Sequence, residues 1–116
     1  MATFEQINPG DSASFTKTIS ESDVYLFAGI TGDLNPAHVD AVSAANGMFK
    51  QRIAHGMLTG SFISTVLAMQ LPGPGTIYLG QNLQFRAPVL IGDTITARVE
   101  AAEKLDQRKW VKFKTT

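Results

Sequence analysis

Two stretches of this chain carry residues able to move protons or hold a developing negative charge. The first is Thr31-Gly32-Asp33-Leu34-Asn35-Pro36-Ala37-His38, in which a carboxylate and an imidazole lie five positions apart around Asn-Pro. A glycine bend before them and a rigid helix start between them can aim both side chains at one point, as acid–base chemistry on a single water requires. The second is Ala54-His55-Gly56-Met57, which opens the most hydrophobic segment of the chain. A helix beginning there leaves backbone N–H groups without intrahelical partners, and Gly56 has no side chain to obstruct them. Such donors suit an oxyanion of the kind that develops on a thioester carbonyl.

Each of these residues taken alone has a structural reading. Asp33 precedes a helix, where aspartate serves caps and turns, and Asn35 is a good cap. His38, one turn into a helix, is commonly a surface or packing residue, and His55 could simply help the chain turn into the long helix. Ser64, on a buried helix, commonly bonds back to its own backbone carbonyl. The joint arrangement is what favours chemistry. The sequence holds no GxSxG elbow, phosphate loop or dinucleotide fingerprint. It has no cysteine, which removes disulfides, thiolate nucleophiles and cysteine metal sites. Its two histidines lack zinc-helix spacing, and a histidine zinc site would need Asp or Glu to complete it, so no metal is expected.

The elements that must position these groups follow from the pattern of the chain. Asn8-Pro9-Gly10-Asp11 is a turn, and 13–19 alternates as a strand with Phe15 and Ile19 on one parity. Ser20 is an N-cap with Asp23 in the capping-box position, followed by Val24, Phe27 and Ala28 at helical spacing. Gly29 and Gly32 flank the end of that helix. Asn35-Pro36 starts a second helix, AHVDAVSAA, which stops at Asn46-Gly47. His38 then sits in a first turn, where the helix dipole disfavours its charged form. The main helix, 56–70, is apolar over most of its circumference, which predicts a buried helix. Its remaining face, Gly60, Ser61, Ser64, Thr65 and Ala68, allows close approach of backbone or ligand. After the stop at Leu71-Pro72-Gly73-Pro74-Gly75, the period changes to that of strands. Ile77, Leu79, Leu83 and Phe85 predict a long strand with one buried face. Ile95, Ala97, Val99 and Ala101 predict a second, and a loop at Leu105-Asp106-Gln107-Arg108 leads to a third beginning at Trp110. Antiparallel strands around one buried helix make an α+β domain.

With 116 residues, the chain can bury about 65% of its unfolded surface. Its 44% hydrophobic and 17% charged residues describe a globular domain, and a formal net charge of +0 gives no electrostatic case for nucleic acid or an anionic membrane. The N-terminal residues lack the basic and apolar regions of a signal peptide, and the longest apolar run is too short to span a bilayer. A cytoplasmic location is expected, and the light charge load fits a subunit that hides surface in an oligomer.

The order and spacing of Thr31-Gly32-Asp33-Leu34-Asn35-Pro36-Ala37-His38 and Ala54-His55-Gly56-Met57-Leu58 resemble the MaoC-like family of (R)-specific enoyl-CoA hydratases. Tyr78-Leu79-Gly80-Gln81-Asn82-Leu83-Gln84-Phe85-Arg86-Ala87-Pro88-Val89 resembles a strand of the same enzymes, so the likeness covers nearly the whole chain, 1–116, as one domain. It is greatest to the short hydratases that feed polyhydroxyalkanoate synthesis. The resemblance implies a hot-dog fold, a curved antiparallel sheet wrapped around a central helix, in a homodimer whose sheets join. It implies hydration of trans-2-enoyl-CoA to (R)-3-hydroxyacyl-CoA by a hydro-lyase, reversibly and without a cofactor, the coenzyme A thioester being substrate. Asp33 and His38 match the catalytic pair. Asn35 holds their geometry, and the Gly56 N–H binds the thioester oxygen. Ser64, Leu67, His55 and Met57 are assigned to the substrate. A hot-dog acyl-CoA thioesterase and a non-catalytic acyl-thioester-binding module are the rival readings. Two departures stand out. Ala37 occupies a place where a larger aliphatic is common. Relatives also continue through one more strand, so a shortened variant or a truncated chain, with an exposed sheet edge, is expected.

Overall fold

The computed structural model describes residues 2–116. In chain order the elements are β1 (Ser12–Thr18), α1 (Glu21–Thr31), α2 (Pro36–Val39), α3 (Ala41–Ala45), α4 (Gly56–Met69), β2 (Thr94–Leu105) and β3 (Trp110–Thr115). They fall into two compact units. One comprises the segment up to Thr16, Ser61–Gln81 and Thr96–Thr116, and the other Lys17–Gly60 and Asn82–Ile95.

The sheet has the order β1-β2-β3. Strands β2 and β3 are antiparallel, with Val99 opposite Thr115 and Leu105 opposite Trp110, and the register slips between Ala101 and Glu103. Within the first unit, Gly10 N–H donates to Ala101 O and Ala101 N–H to Asp11 O, both at 2.7 Å. A threonine hydroxyl pair, Thr16 and Thr96 at 2.8 Å, adds a cross-strand bond on the outer face. The strand period predicted for β2 is realised, since Ala97, Val99 and Ala101 are buried at alternate positions. The second half of α4 contributes buried Phe62, Ile63, Val66 and Leu67 to the core of this unit. Phe62 meets Phe15 of β1 edge-on at 6.0 Å, and Gln70 Nε2 donates to the Ser14 carbonyl at 2.8 Å. An antiparallel sheet with a helix packed on it is therefore present as predicted.

Three expectations need correction. The long strand over 77–86 does not form a strand, and the face expected to be buried is largely exposed, with Ile77 at 79% and Phe85 at 55%. Alternation records which face could be buried, but a strand also needs its backbone to join a ladder, and the sheet of the described residues is β1-β2-β3 without this segment. The helix expected from Pro36 to Ala45 is two short helices broken at Asp40. Asp40 closes α2 with its N–H to the Pro36 carbonyl and caps α3 with Oδ1, which accepts from Val42 and Ser43 N–H at 3.0 and 3.1 Å. An aspartate able to cap competes with helix continuation. Finally, α4 is not buried all round, because Met57, Ser61, Ser64 and Met69 are exposed.

In the second unit the capping box of α1 forms as read. Asp23 N–H donates to Ser20 Oγ at 3.1 Å, and Ser20 N–H to Asp23 Oδ2 at 2.9 Å. The helix runs through Gly29 and ends at Gly32. Lys17 Nζ also reaches Asp23 Oδ2 at 2.7 Å. The hydrogen bond from Lys17, followed by that from the Ser20 backbone, holds the Asp23 carboxyl below the ordinary aspartate value. A lowered folded pKa means that Asp23 stabilises the fold above the ordinary aspartate range, and that this contribution is lost as pH falls through the folded value. The difference in unfolding free energy between wild type and Asp23→Asn, measured by denaturant titration, is expected to be widest near neutral pH and to close in acid.

Candidate active site

The Asp33–His38 segment is built from its glycine outward. At the end of α1, Gly32 takes a left-handed φ of 79° and donates its N–H to Ala28 O at 2.8 Å, a conformation glycine enters without a Cβ clash. Thr31 Oγ1 donates to the Phe27 carbonyl at 2.8 Å and accepts the Asp33 N–H at 3.2 Å. Asp33 follows on an exposed turn, where its Oδ1 accepts the Asn35 N–H at 3.2 Å. The Asn35 side chain accepts the Ala37 N–H at 3.0 Å and starts α2, with Pro36 inside its first turn. Asn35 thus serves both partners: its N–H holds the carboxylate, and its amide oxygen starts the turn that carries His38.

His38 Nδ1 lies 2.7 Å from the carbonyl of Ile53. A carbonyl only accepts, so Nδ1 carries the hydrogen and Nε2 presents a bare lone pair. Helix α2 has four residues, too few for the macrodipole expected at His38 to be appreciable, and the contact that orients the ring is the Ile53 carbonyl. That carbonyl is held in place because Ile53 N–H donates to Ala37 O at 3.1 Å and Ile53 bridges to Leu90. The neighbouring Arg52 is tied to α1 through Glu21 at 2.7 Å and the Tyr25 hydroxyl at 2.8 Å.

His55 is 2% exposed. Its ring stacks on His38 with centroids 3.8 Å apart and planes at 26°, and its centroid lies 4.9 Å from that of Phe27. Its Nε2 is 3.0 Å from the Asp33 carbonyl. One donor atom from each of Asp33, His38 and His55 falls within 4.8 Å of the others. Such a set has the chemistry to hold a metal ion. His38 Nδ1 and His55 Nε2 are each committed to a main-chain carbonyl, of Ile53 and Asp33, which leaves one nitrogen of each ring for such an ion or for a proton.

Gly56 begins α4 immediately after His55. Among the described residues, no acceptor meets its N–H, whereas Leu58 and Thr59 N–H already turn back to the His55 carbonyl. On the small face, close approach occurs at Gly60, and it is by a side chain rather than by backbone or ligand. A Cβ on Gly56 would sit 3.1–3.2 Å from three Phe85 ring atoms, and one on Gly60 would sit 3.0 Å from Leu83 Cδ1. Of the remaining assigned residues, Met57 and Ser64 are exposed. Leu67 is buried, and it lies with Ser64 in the unit that does not contain Asp33. The structure therefore brings together Asp33, Asn35, His38, His55 and Gly56. The sequence reading missed the Ile53 carbonyl, which leaves no mark in sequence, and Phe85, for which the glycines at 56 and 60 were a usable signal.

Comparison with known proteins adds three relatives. A family model described as "MaoC like domain" matches residues 5–116. An (R)-specific enoyl-CoA hydratase of Rhodospirillum rubrum is 58% identical over 113 residues, covering 97% of this chain and 78% of that protein. A 3-hydroxybutyryl-CoA dehydratase of Methylorubrum extorquens is 47% identical over 113 residues, covering 97% of this chain and 72% of that one. The solved (R)-hydratase of Aeromonas caviae, involved in PHA biosynthesis, superposes with a TM-score of 0.93 at 39% identity, covering 96% of this chain and 84% of that chain.

The glycine contacts predict unequal effects of adding a methyl group. In Gly60→Ala the Leu83 side-chain end can swing aside, and the gain in helix propensity of about 1 kcal/mol offsets the crowding. In Gly56→Ala a ring face must move as a body, and a loss of about 1–3 kcal/mol is expected from overpacking. Thermal denaturation of both variants checks the ranking, and Phe85→Leu added to Gly56→Ala should recover much of the loss.

Proposed function

This chain belongs to the MaoC-like domain family and has its hot-dog fold, and on that premise we propose that it is a hydro-lyase that hydrates trans-2-enoyl-CoA to (R)-3-hydroxyacyl-CoA. The observation that carries the mechanism is the Asp33–His38 geometry: a carboxylate beside an imidazole whose proton is fixed on Nδ1. Neutral His38 accepts a proton from water at Nε2, while Asp33 accepts a hydrogen bond from the other water hydrogen and orients it. The water oxygen forms its bond to C3. The double-bond electron pair moves toward the thioester carbonyl, whose oxygen the Gly56 N–H receives. The proton on Nε2 then passes to C2 on the same face. One water has been added, His38 is neutral again, and the reverse sequence is dehydration. Every group in this cycle is a side chain or backbone amide of the chain, so no cofactor enters it. Ser64, Leu67 and Met57 belong to this proposal as substrate contacts.

Several features support a homodimer. Leu26 and Ile30, one turn apart on α1, are 64% and 82% exposed. The extended segment around Ile77 and Leu79 carries exposed apolar side chains. Apolar surface of this kind is what a second copy covers. The Aeromonas caviae relative's part in PHA biosynthesis supports the same metabolic role here, with acyl-CoA as substrate, and the proposal places that role in the cytoplasm. No helix among the described residues is long and apolar enough to cross a membrane.

The test is loss of the enoyl-thioester ultraviolet absorbance on adding the protein to crotonyl-CoA. Wild type is expected to consume the absorbance. Asp33→Asn and His38→Ala are each expected to lower kcat by about 10²–10⁴-fold, the range for positioned acid–base groups. Full activity in a folded Asp33→Asn preparation would sink the mechanism. Release of free thiol without hydration would favour the thioesterase, and binding of a saturated acyl-CoA with no turnover the binding module. Sedimentation at micromolar concentration is expected to give twice the monomer mass.

A further inference from the structure

His55 is the most buried titratable side chain near the site, and the hydration cycle above makes no use of it. The sequence reading assigned it to the substrate, but at 2% exposure it has almost no surface to offer an acyl group. Its two ring nitrogens are treated very differently. Nε2 faces the Asp33 carbonyl at 3.0 Å, so Nε2 carries the hydrogen. Nδ1 is therefore a bare acceptor, and it is buried with no hydrogen-bond partner. A buried unpaired acceptor is unfavourable, and a phenyl ring of similar shape would avoid it. Packing alone gives no reason for imidazole here. What imidazole supplies that phenyl does not, and that finds a hydrogen-bond partner here, is the Nε2–H to the Asp33 carbonyl.

The same ring also bears on the other catalytic group. The Ile53 carbonyl anchors His38 at one edge, through Nδ1. The stack at 3.8 Å supplies the missing face. Phe27 lies near the His55 ring, its centroid 4.9 Å away, so the support is itself packed. Asp33 is held from the opposite direction: its side chain by the Asn35 N–H, and its main chain by His55.

We infer that His55 is a positioning residue for the hydration step, holding Asp33 by a hydrogen bond from Nε2 to its main-chain carbonyl and His38 by ring stacking. The inference rests on the hydratase reading for its kinetic consequence, and on geometry alone for the hydrogen bond and stack.

Three substitutions in the full chain separate the two contacts. In His55→Gln the amide nitrogen reaches the place of Nε2, keeping the donor without the ring. In His55→Asn the amide nitrogen corresponds to Nδ1, and the donor is lost. His55→Phe keeps a ring and loses the donor. With crotonyl-CoA, His55→Asn, which loses both contacts, is expected to lower kcat by about 10²-fold, the scale of a misplaced catalytic group, and His55→Phe, which keeps the stack, by about tenfold, with KM changed less than about threefold in each. His55→Gln is expected to recover about tenfold of that loss relative to His55→Asn. Melting curves identify variants that fail to fold, and the Gln–Asn comparison stands if the Phe variant is lost. A folded Phe variant with wild-type kcat overturns the inference. So does Gln no better than Asn, or an effect wholly in KM, which would return His55 to the substrate. A readout free of turnover separates this from failure of the hydratase reading. In ¹⁵N-histidine spectra of wild type, His55 should show a slowly exchanging Nε2–H and an unprotonated Nδ1, and the opposite tautomer would refute the hydrogen bond even in an inactive protein.

Discussion

The hydrogen bond from His38 Nδ1 to the carbonyl of Ile53 is the constraint on which the site depends. It decides the tautomer and thereby leaves Nε2 open to accept a proton. It also ties two segments far apart in sequence, because Ile53 N–H returns to the carbonyl of Ala37, beside His38. The contact is reciprocal: the segment before α4 fixes the imidazole, and α2 fixes the segment that delivers His55 and Gly56. Arg52, through Glu21 and Tyr25, moors that segment to α1. These exposed ion-pair contacts contribute little to stability individually. Their value is geometric, since they restrict where the Ile53 carbonyl can lie.

The parts of this arrangement legible in the sequence are those that local chemistry decides. Ser20 and Asp23 form a reciprocal cap because each satisfies the other's backbone donor within one turn, and nothing distant is needed. Asn35-Pro36 starts a helix for the same reason. The spacing of Asp33 and His38 was visible, and so was the glycine that opens α4. The illegible parts depend on partners elsewhere. Residues 77–86 have the alternation of a strand, but pairing requires a neighbour that alternation does not supply. Helix α4 is apolar nearly all round, which foretold burial, yet Met57 and Met69 remain 60% and 67% exposed. Composition measures what a surface would accept, and burial needs something to cover it.

Asp40 illustrates a competition that pattern reading settles in the wrong direction. The stretch after Pro36 is rich in alanine and reads as one helix to Asn46. Its aspartate instead turns its carboxylate to the N–H groups of Val42 and Ser43 and restarts the helix. Those hydrogen bonds, led by that of the Ser43 backbone, hold the Asp40 carboxyl below its ordinary value. The break leaves α2 as a single turn, and this removes the helix-dipole account of His38. What orients the imidazole instead is the Ile53 carbonyl, which fixes a hydrogen on Nδ1.

The glycines of α4 answer two demands with one choice. At Gly56 the missing side chain leaves the backbone N–H open on one side and makes room for the face of Phe85 on the other. One turn later Gly60 admits Leu83. Glycine inside a helix costs about 1 kcal/mol relative to alanine, so two within five residues weaken the start of α4. That weakening is offset where the aromatic ring packs directly on backbone, since dispersion contacts replace the absent methyl groups. The ring then screens one flank of the helix start. An N–H donor with no side chain of its own in the way can meet a developing oxyanion directly. Packing and oxyanion binding therefore favour the same residue at this position, and a side chain at Gly56 would disturb both together.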